Sequence, residues 1–546
     1  MTTKSSSLIN FILALLLCYA LVAYATMHLR FLGNWSEGDS LVVTRAVSSS
    51  DKADSLRNAA QPYPNGVGYV SIVLFLEEIT GVQLQTLQMY IMPCIAAFNV
   101  LVLFVGYRAM TRVPLVALLA ALFAYLQPDF LWVTWRGSHE KFTWMLVIAL
   151  IFVLARSFST WNQPRLLTRF VILFYIIAFA MISSNVFFAS SFVVAILLSF
   201  TGANVLFLLR QFVQRRRSQE DQELRRHIQR LVYINIAVGV LFYIFIFHLY
   251  PDSLSALSTF KTLVDQLALL FLNVEEQQIY TTTEQTFAAP SVYVRASWLS
   301  LYVFVGLTIF SWLMLLSSFI VWAIGVLGLI RKPTLDHETL PRLFLWLIYP
   351  AFALQVAGAI LADRVAVLSA NLQVRLFTPA MLTAIPLAAL GAYTVIQNLS
   401  RVPKFWRQVL VAGAGLAVFY FSVASIFKAT NEPMLNNNFI FVTTPEYTAG
   451  DWAATHLKET TVWTGSNDRV AANLGIRYLN TESSNEVEFR GFGFSEGTRY
   501  FLLSEMERAV RVRSNLPPPF FIDQDVVYDN GSVQIFHRTP LTPYQQ

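Results

Sequence analysis

Long apolar runs alternate with short polar stretches through most of the chain, and only the last hundred or so residues depart from this pattern. An α-helix of about 20 residues crosses the ~30 Å hydrocarbon core of a bilayer, and several of the runs reach that length. The pattern predicts eleven spans, at roughly residues 8–29, 88–107, 113–127, 142–155, 170–182, 186–209, 231–250, 299–330, 343–361, 376–397 and 409–427. The first run is too long for a signal-peptide core and no small-residue cleavage site follows it, so it reads as a retained helix. Two places test the count. Within the apolar block 170–209 the break is Ser183, Ser184 and Asn185, read as a tight hairpin. Residues 299–330 are long for one span, so that helix tilts or continues out of the bilayer.

From about Lys428 the pattern changes. WTGSNDRVAANLGIRYLN reads as strand–helix–strand, RYFLLS as a strand, and VVYDNGSVQIF as a hairpin on an Asn530-Gly531 turn. The expected fold class is an α-helical polytopic membrane protein of about eleven helices with a small C-terminal α/β domain. The expected domains are a transmembrane part, 1–427, and an extracytoplasmic domain, 428–546. No internal repeat is visible, which weighs against the inverted-repeat transporters.

Composition supports the membrane reading: 55% of residues are hydrophobic and 13% charged, against about 25% charged in a soluble domain. Cys18 and Cys94 both fall in predicted spans, which argues against a disulfide framework or a Cys-based metal site. The net charge of +6 matters less than its distribution. With the N-terminus inside, 19 of the 39 Lys and Arg fall on the inner side, 10 in the outer loops and 10 in the tail. The inner loop RQFVQRRRSQEDQELRRHIQR alone holds seven arginines. This asymmetry places the N-terminus in the cytoplasm and the tail outside. The basic loop reads as an orientation determinant with affinity for anionic lipid rather than as a nucleic-acid site.

That topology puts loops 30–87, 128–141 and 251–298 on the outer face, and two of them carry candidate chemistry. The first opens with SEGDS, where Glu37 and Asp39 stand two apart. A carboxylate there can act as a general base or ligate a hard divalent cation. Further along lie QPYPNGVGYVSIVLFLEEITG, with a piece at 67–76 too short to span, and Glu77 and Glu78, read as interfacial. The turn between spans three and four is WRGSHEKFTW. His139 and Glu140 can complete a site with the acids, and Arg136 and Lys141 suit a phosphate. Arg375, at the outer start of the tenth span, can hold a lipid-borne phosphate. Plainer readings stand beside these: solvated loop acids, a snorkelling interfacial cluster, and a topology anchor at Arg375. His139–Glu140 is not a zinc-protease motif, because position 143 is Thr.

In the order of these features over residues 8–160, the chain resembles the GT-C superfamily of polytopic glycosyltransferases. That superfamily includes protein O-mannosyltransferases, the aminoarabinose transferase of lipid A and the catalytic subunit of oligosaccharyltransferase. SEGDS stands where the family's first acidic motif falls, and WRGSHEKFTW occupies its second polar outer turn. The chain departs from the mannosyltransferase branch in having EGD and PYPNG where that branch has an Asp-Glu pair and a His-Pro-Pro stretch. It also has no DxD or DxE in the second turn, so metal dependence stays open.

The resemblance implies a polyprenyl-phosphate-sugar donor and a single inverting displacement at the outer face of a plasma membrane. It implies Asp39 as base and Glu37 as alternative base or metal ligand. His139 and Glu140 would orient the acceptor or hold a divalent cation such as Mg or Mn. Arg136, Lys141 and Arg375 would stabilise the departing lipid phosphate. The acceptor is a protein, lipid or glycan. The alternatives are a flippase for lipid-linked glycans and a non-catalytic assembly protein of the same fold. A flippase more often carries ionisable residues at the midplane, whereas the predicted spans are almost free of them.

Overall fold

A computed structural model describes residues 3–31, 66–135, 139–160, 163–214, 229, 233–234, 236–249, 298–331, 339–365 and 372–429. In the tail it describes 444–457, 460–463, 488–490, 498–505, 508, 522 and 524–537. The chain is mostly helical. In order run α1 (Thr3–Phe31), α2 (Gly68–Thr80) and α3 (Leu87–Thr111), the last opening with a π-turn over Leu87–Ile91. Then come α4 (Pro114–Tyr125), α5 (Pro128–Trp135), α6 (Glu140–Ser159), α7 (Pro164–Ser184) and α8 (Val186–Gln214). After α9 (Ile236–Leu249) follow α10 (Trp298–Arg331), α11 (Thr339–Val365), α12 (Leu372–Asn398) and α13 (Lys404–Ala429).

Each predicted span overlaps a described helix, the seventh only in part because residues 231, 232, 235 and 250 lie outside the described residues. Eight of the described helices are long and apolar enough to cross a membrane by themselves, or nine if the bent α4–α5 pair is one span. The SSN hairpin is there: α7 ends at Ser184 and α8 begins at Val186. Residues 298–331 form one unbroken helix of 34 residues, about 50 Å long at 1.5 Å per residue. The second outer turn is tighter than the pattern predicts. Residues 128–135 are helical and bend by 75° from α4, so only 136–138 separate α5 from His139.

Large apolar side chains are exposed along the outside of the bundle, among them Phe11, Trp312, Leu316, Trp406, Leu416 and Phe419. With eight helices long and apolar enough to cross a membrane, such exposed apolar surface makes this a multi-pass membrane protein. Inside the bundle α12 packs against α4, α10 and α11, while α6 packs against α3 and α7.

Prolines are accommodated within this packing by neighbouring side chains. Pro386 in α12 has no N–H for the carbonyl of Leu382, and the Tyr107 hydroxyl of α3 donates to that carbonyl at 2.9 Å. Pro350 in α11 leaves the carbonyl of Trp346 free in the same way, and Trp322 Nε1 of α10 donates to it at 2.9 Å. In lipid no water is available to serve either carbonyl. At the arginine-rich end Arg210 is fully buried, and its Nη1 donates to the carbonyl of Leu329 near the C-terminus of α10.

The tail holds α14 (Thr444–His456) and a five-stranded sheet of order β2-β1-β3-β5-β4. Its strands are β1 (Thr461–Trp463), β2 (Glu488–Arg490), β3 (Thr498–Ser504), β4 (Asp525–Asp529) and β5 (Val533–His537). The β1–β2 and β1–β3 pairs are parallel and the remaining pairs antiparallel. The predicted hairpin is β4–β5. Gly531 turns it at φ 86°, and the Asn530 side chain accepts from the amides of Ser532 and Val533. The Gln534 side chain and the Gly531 amide both donate to Asp529 and hold its carboxyl below the usual range. The strand–helix–strand expectation for 463–480 lies outside the described residues beyond β1.

Candidate functional site

Three separate stretches of sequence meet at the end of the bundle that the arginine count assigns to the outside. The first is the Gly-Val-Gly entry to α2. Gly66 has φ +154°, a conformation that a side chain rarely adopts, and a Cβ there would strike the carbonyl of Ser183. A Cβ on Gly68 would meet Ser183 Oγ at 2.5 Å and Ser184 Oγ at 2.9 Å. The glycines therefore let the backbone entering α2 lie directly on the α7–α8 break, the second stretch. That break presents Asn185, whose Oδ1 accepts from the Phe188 amide at 3.0 Å and caps α8.

The third stretch is the start of α6. His139 is 5% exposed, and its Nε2 lies 2.5 Å from Asn185 Nδ2. Its ring is 6.4 Å from that of Tyr69 in the first turn of α2. Tyr69 also packs against Phe142, and its hydroxyl donates to Gln88 Oε1 at 2.6 Å. Burial pushes the Tyr69 phenol pKa up, against the pull of the Gln88 bond. Glu140 is half-buried and Lys141 is 1% exposed. A lysine placed so deep does not snorkel to water.

The sequence-based candidates fare unevenly. His139, Glu140 and Lys141 come together at this end. Arg375 lies in the first turn of α12, and the next residue, Leu376, packs with Phe187 and Phe188 just after Asn185. The start of α12 thus adjoins the same break. Glu37, Asp39 and Arg136 lie outside the described residues. Glu77 has a structural partner: its Oε1 accepts from the Leu84 amide at 2.9 Å and closes the turn after α2, where Gly81 is left-handed at φ 65°.

Two members of the site are not singled out by sequence reasoning. Asn185 reads there only as part of a break, although an asparagine beside two serines in a long apolar block is itself a signal. Tyr69 gives no signal, because an aromatic residue in an apolar helix is unremarkable. Asp129 in the first turn of α5 lies near Lys428 in the last turn of α13.

No protein family and no curated protein matches the chain by sequence. By structure it is similar to the oligosaccharyltransferase of Archaeoglobus fulgidus in its apo form. The TM-score is 0.56 at 11% identity, over 94% of this chain and 72% of that one. The same archaeal enzyme, AglB, in complex with an inhibitory peptide and a dolichol-phosphate gives 0.54 at 10% identity, over 94% and 71%. Its complex with Zn and sulfate gives 0.51 at 11%, over 90% and 68%. At such identities the likeness is one of fold alone.

Proposed function

We propose that this chain, which has the GT-C fold, moves a sugar from a polyprenyl-phosphate donor to an acceptor on the extracytoplasmic side of a plasma membrane. The observation that carries the reading is the convergence of the α2 entry, the Asn185 break and the start of α6 at one end of such a bundle. The titratable groups His139, Glu140 and Lys141 gather there, while the flanks of the bundle are apolar.

The reaction is a single displacement. Asp39, with Glu37 as alternative, takes the proton from the acceptor's nucleophilic atom as that atom forms a bond to the anomeric carbon. The bond from that carbon to the phosphate oxygen breaks, and the polyprenyl phosphate departs with the electron pair. The anomeric configuration inverts. Arg136, Lys141 and Arg375 offset the charge growing on the phosphate, and His139 and Glu140 orient the acceptor. Among the described residues no three or more His, Cys, Asp or Glu side chains come together. Those residues alone do not supply a ligand set for a divalent cation, and the acids of SEGDS lie outside them.

The test is sugar transfer from a panel of radiolabelled polyprenyl-phosphate sugars by purified wild type, Asp39→Ala and Glu37→Gln, with and without EDTA. Wild type transfers, and Asp39→Ala is slower by about 10²–10⁴-fold, the usual worth of a general base. Equal transfer by both removes Asp39 from the site. EDTA sensitivity would bring a cation to the acids of the SEGDS loop. No transfer from any donor, with lipid-linked sugar moved across vesicles, would replace the transferase reading with a flippase.

A further inference from the structure

We infer that Asn185 is a positioning residue that fixes the protonation of His139, so that the neutral imidazole carries its proton on Nδ1 and not on Nε2. The Asn185 amide has a fixed orientation. Its Oδ1 is 3.0 Å from the backbone nitrogen of Phe188. A backbone N–H can only donate, so the atom facing it must be the oxygen and the amide cannot be flipped. The NH₂ therefore faces His139, 2.5 Å from Nε2. An amide NH₂ has no lone pair to offer, so Nε2 must be the acceptor and cannot carry a proton. A neutral imidazole has one N–H, and here it falls on Nδ1.

Two consequences follow for the site. The Nε2 lone pair, which a metal would need, is already engaged by Asn185. With its proton on Nδ1, the neutral imidazole has no second lone pair to offer a cation either. Of the two roles that the family resemblance allows His139, the geometry selects orientation over metal binding. Asn185 does this while capping α8 and sitting under the Gly66–Gly68 entry, so one short break sets both the shape and the polarity of this wall. The role assigned to His139 rests on the transferase reading above; the protonation itself does not.

The experiment is nitrogen NMR of the full-length chain in lipid, labelled with [15N]histidine. The chain has seven histidines, and His139→Gln identifies the signal by its loss. Wild type shows an unprotonated Nε2 and a protonated Nδ1 at position 139. Asn185→Asp keeps an oxygen for the Phe188 amide, so α8 stays capped, but presents an acceptor to Nε2. In that variant the proton appears on Nε2. A wild-type signal with Nε2 protonated, or with both nitrogens averaged, overturns the inference. So does an unchanged His139 signal in Asn185→Asp. The wild-type spectrum decides even if the variant fails to fold.

Sugar transfer by Asn185→Asp is the second readout, and the expected result is a fall of at least tenfold with unchanged thermal unfolding. Wild-type-like transfer by a variant whose proton has moved would overturn the positioning role. If wild type transfers no sugar at all, the transferase reading fails while the spectrum still judges the protonation.

Discussion

Gly66 shows how one residue can decide the shape of this site. Its φ of +154° is nearly closed to other residues, and its missing side chain lets the backbone rest on the carbonyl of Ser183. Gly81 is a useful contrast, being left-handed at φ +65° with open space, free of other atoms to 4 Å, where a methyl group would sit. Gly81→Ala should cost about 1–2 kcal/mol from backbone strain alone. Gly66→Ala carries its own strain of about 1–3 kcal/mol and a backbone collision besides. It should lower the unfolding midpoint of the detergent-solubilised protein more than Gly81→Ala does, and should impair transfer. An equal or smaller shift for Gly66→Ala would show that α2 does not rest on the α7–α8 break as described. His139 and Asn185 act at the same scale: two polar side chains, 46 positions apart in sequence, satisfy each other only because α6 and α8 begin side by side.

Among the elements, α11 and α12 tolerate Pro350 and Pro386 because neighbours supply the lost hydrogen bonds. The Tyr107–Leu382 bond exists because Pro386 lacks an N–H. Tyr107→Phe should destabilise the bundle by about 1–3 kcal/mol, the cost of a buried carbonyl left unsatisfied. Pro386→Ala returns an amide to Leu382 within α12, so Tyr107→Phe should cost clearly less in that background. A double-mutant cycle by denaturation in mixed micelles measures the coupling. Strictly additive effects would mean that the hydroxyl does not stand in for the missing amide. The same logic applies to Trp322 and Pro350. The 75° bend between α4 and α5 is held similarly, with Ser425 Oγ donating to the carbonyl of Leu126 and Ser311 Oγ to the Gln127 side chain.

For the protein as a whole the governing feature is the asymmetry of charge along the membrane normal. The distribution of Lys and Arg predicts that the tail and the His139 end face outward and that loop 215–230 faces the cytoplasm. In a background with Cys18 and Cys94 replaced by Ser, a cysteine placed at Gln545 should react with a membrane-impermeant maleimide in intact cells. One placed at Gln222 should react only after lysis. The reverse order would invert the topology and move the site to the cytoplasmic face.

Much of this architecture is legible in the sequence, because lipid imposes a length and a polarity on every spanning helix and so writes them into the chain. The eleven apolar runs, the hairpin at 183–185, the long helix 298–331 and the Asn530-Gly531 turn all follow from that constraint and from local backbone chemistry. So does the choice of WRGSHEKFTW as a place to look, since charges are costly wherever lipid is the neighbour. What the sequence cannot carry is the pairing of distant stretches. Nothing local tells that Gly66 lies on Ser183, that Asn185 faces His139, or that Tyr107 reaches the carbonyl freed by Pro386. Those contacts depend on how the helices pack, and packing is a property of complementary surfaces, not of any one segment. Run length and charge asymmetry are enough to fix the membrane class and the candidate residues. Helix packing alone settles which of the described ones meet, His139 and Asn185 among them.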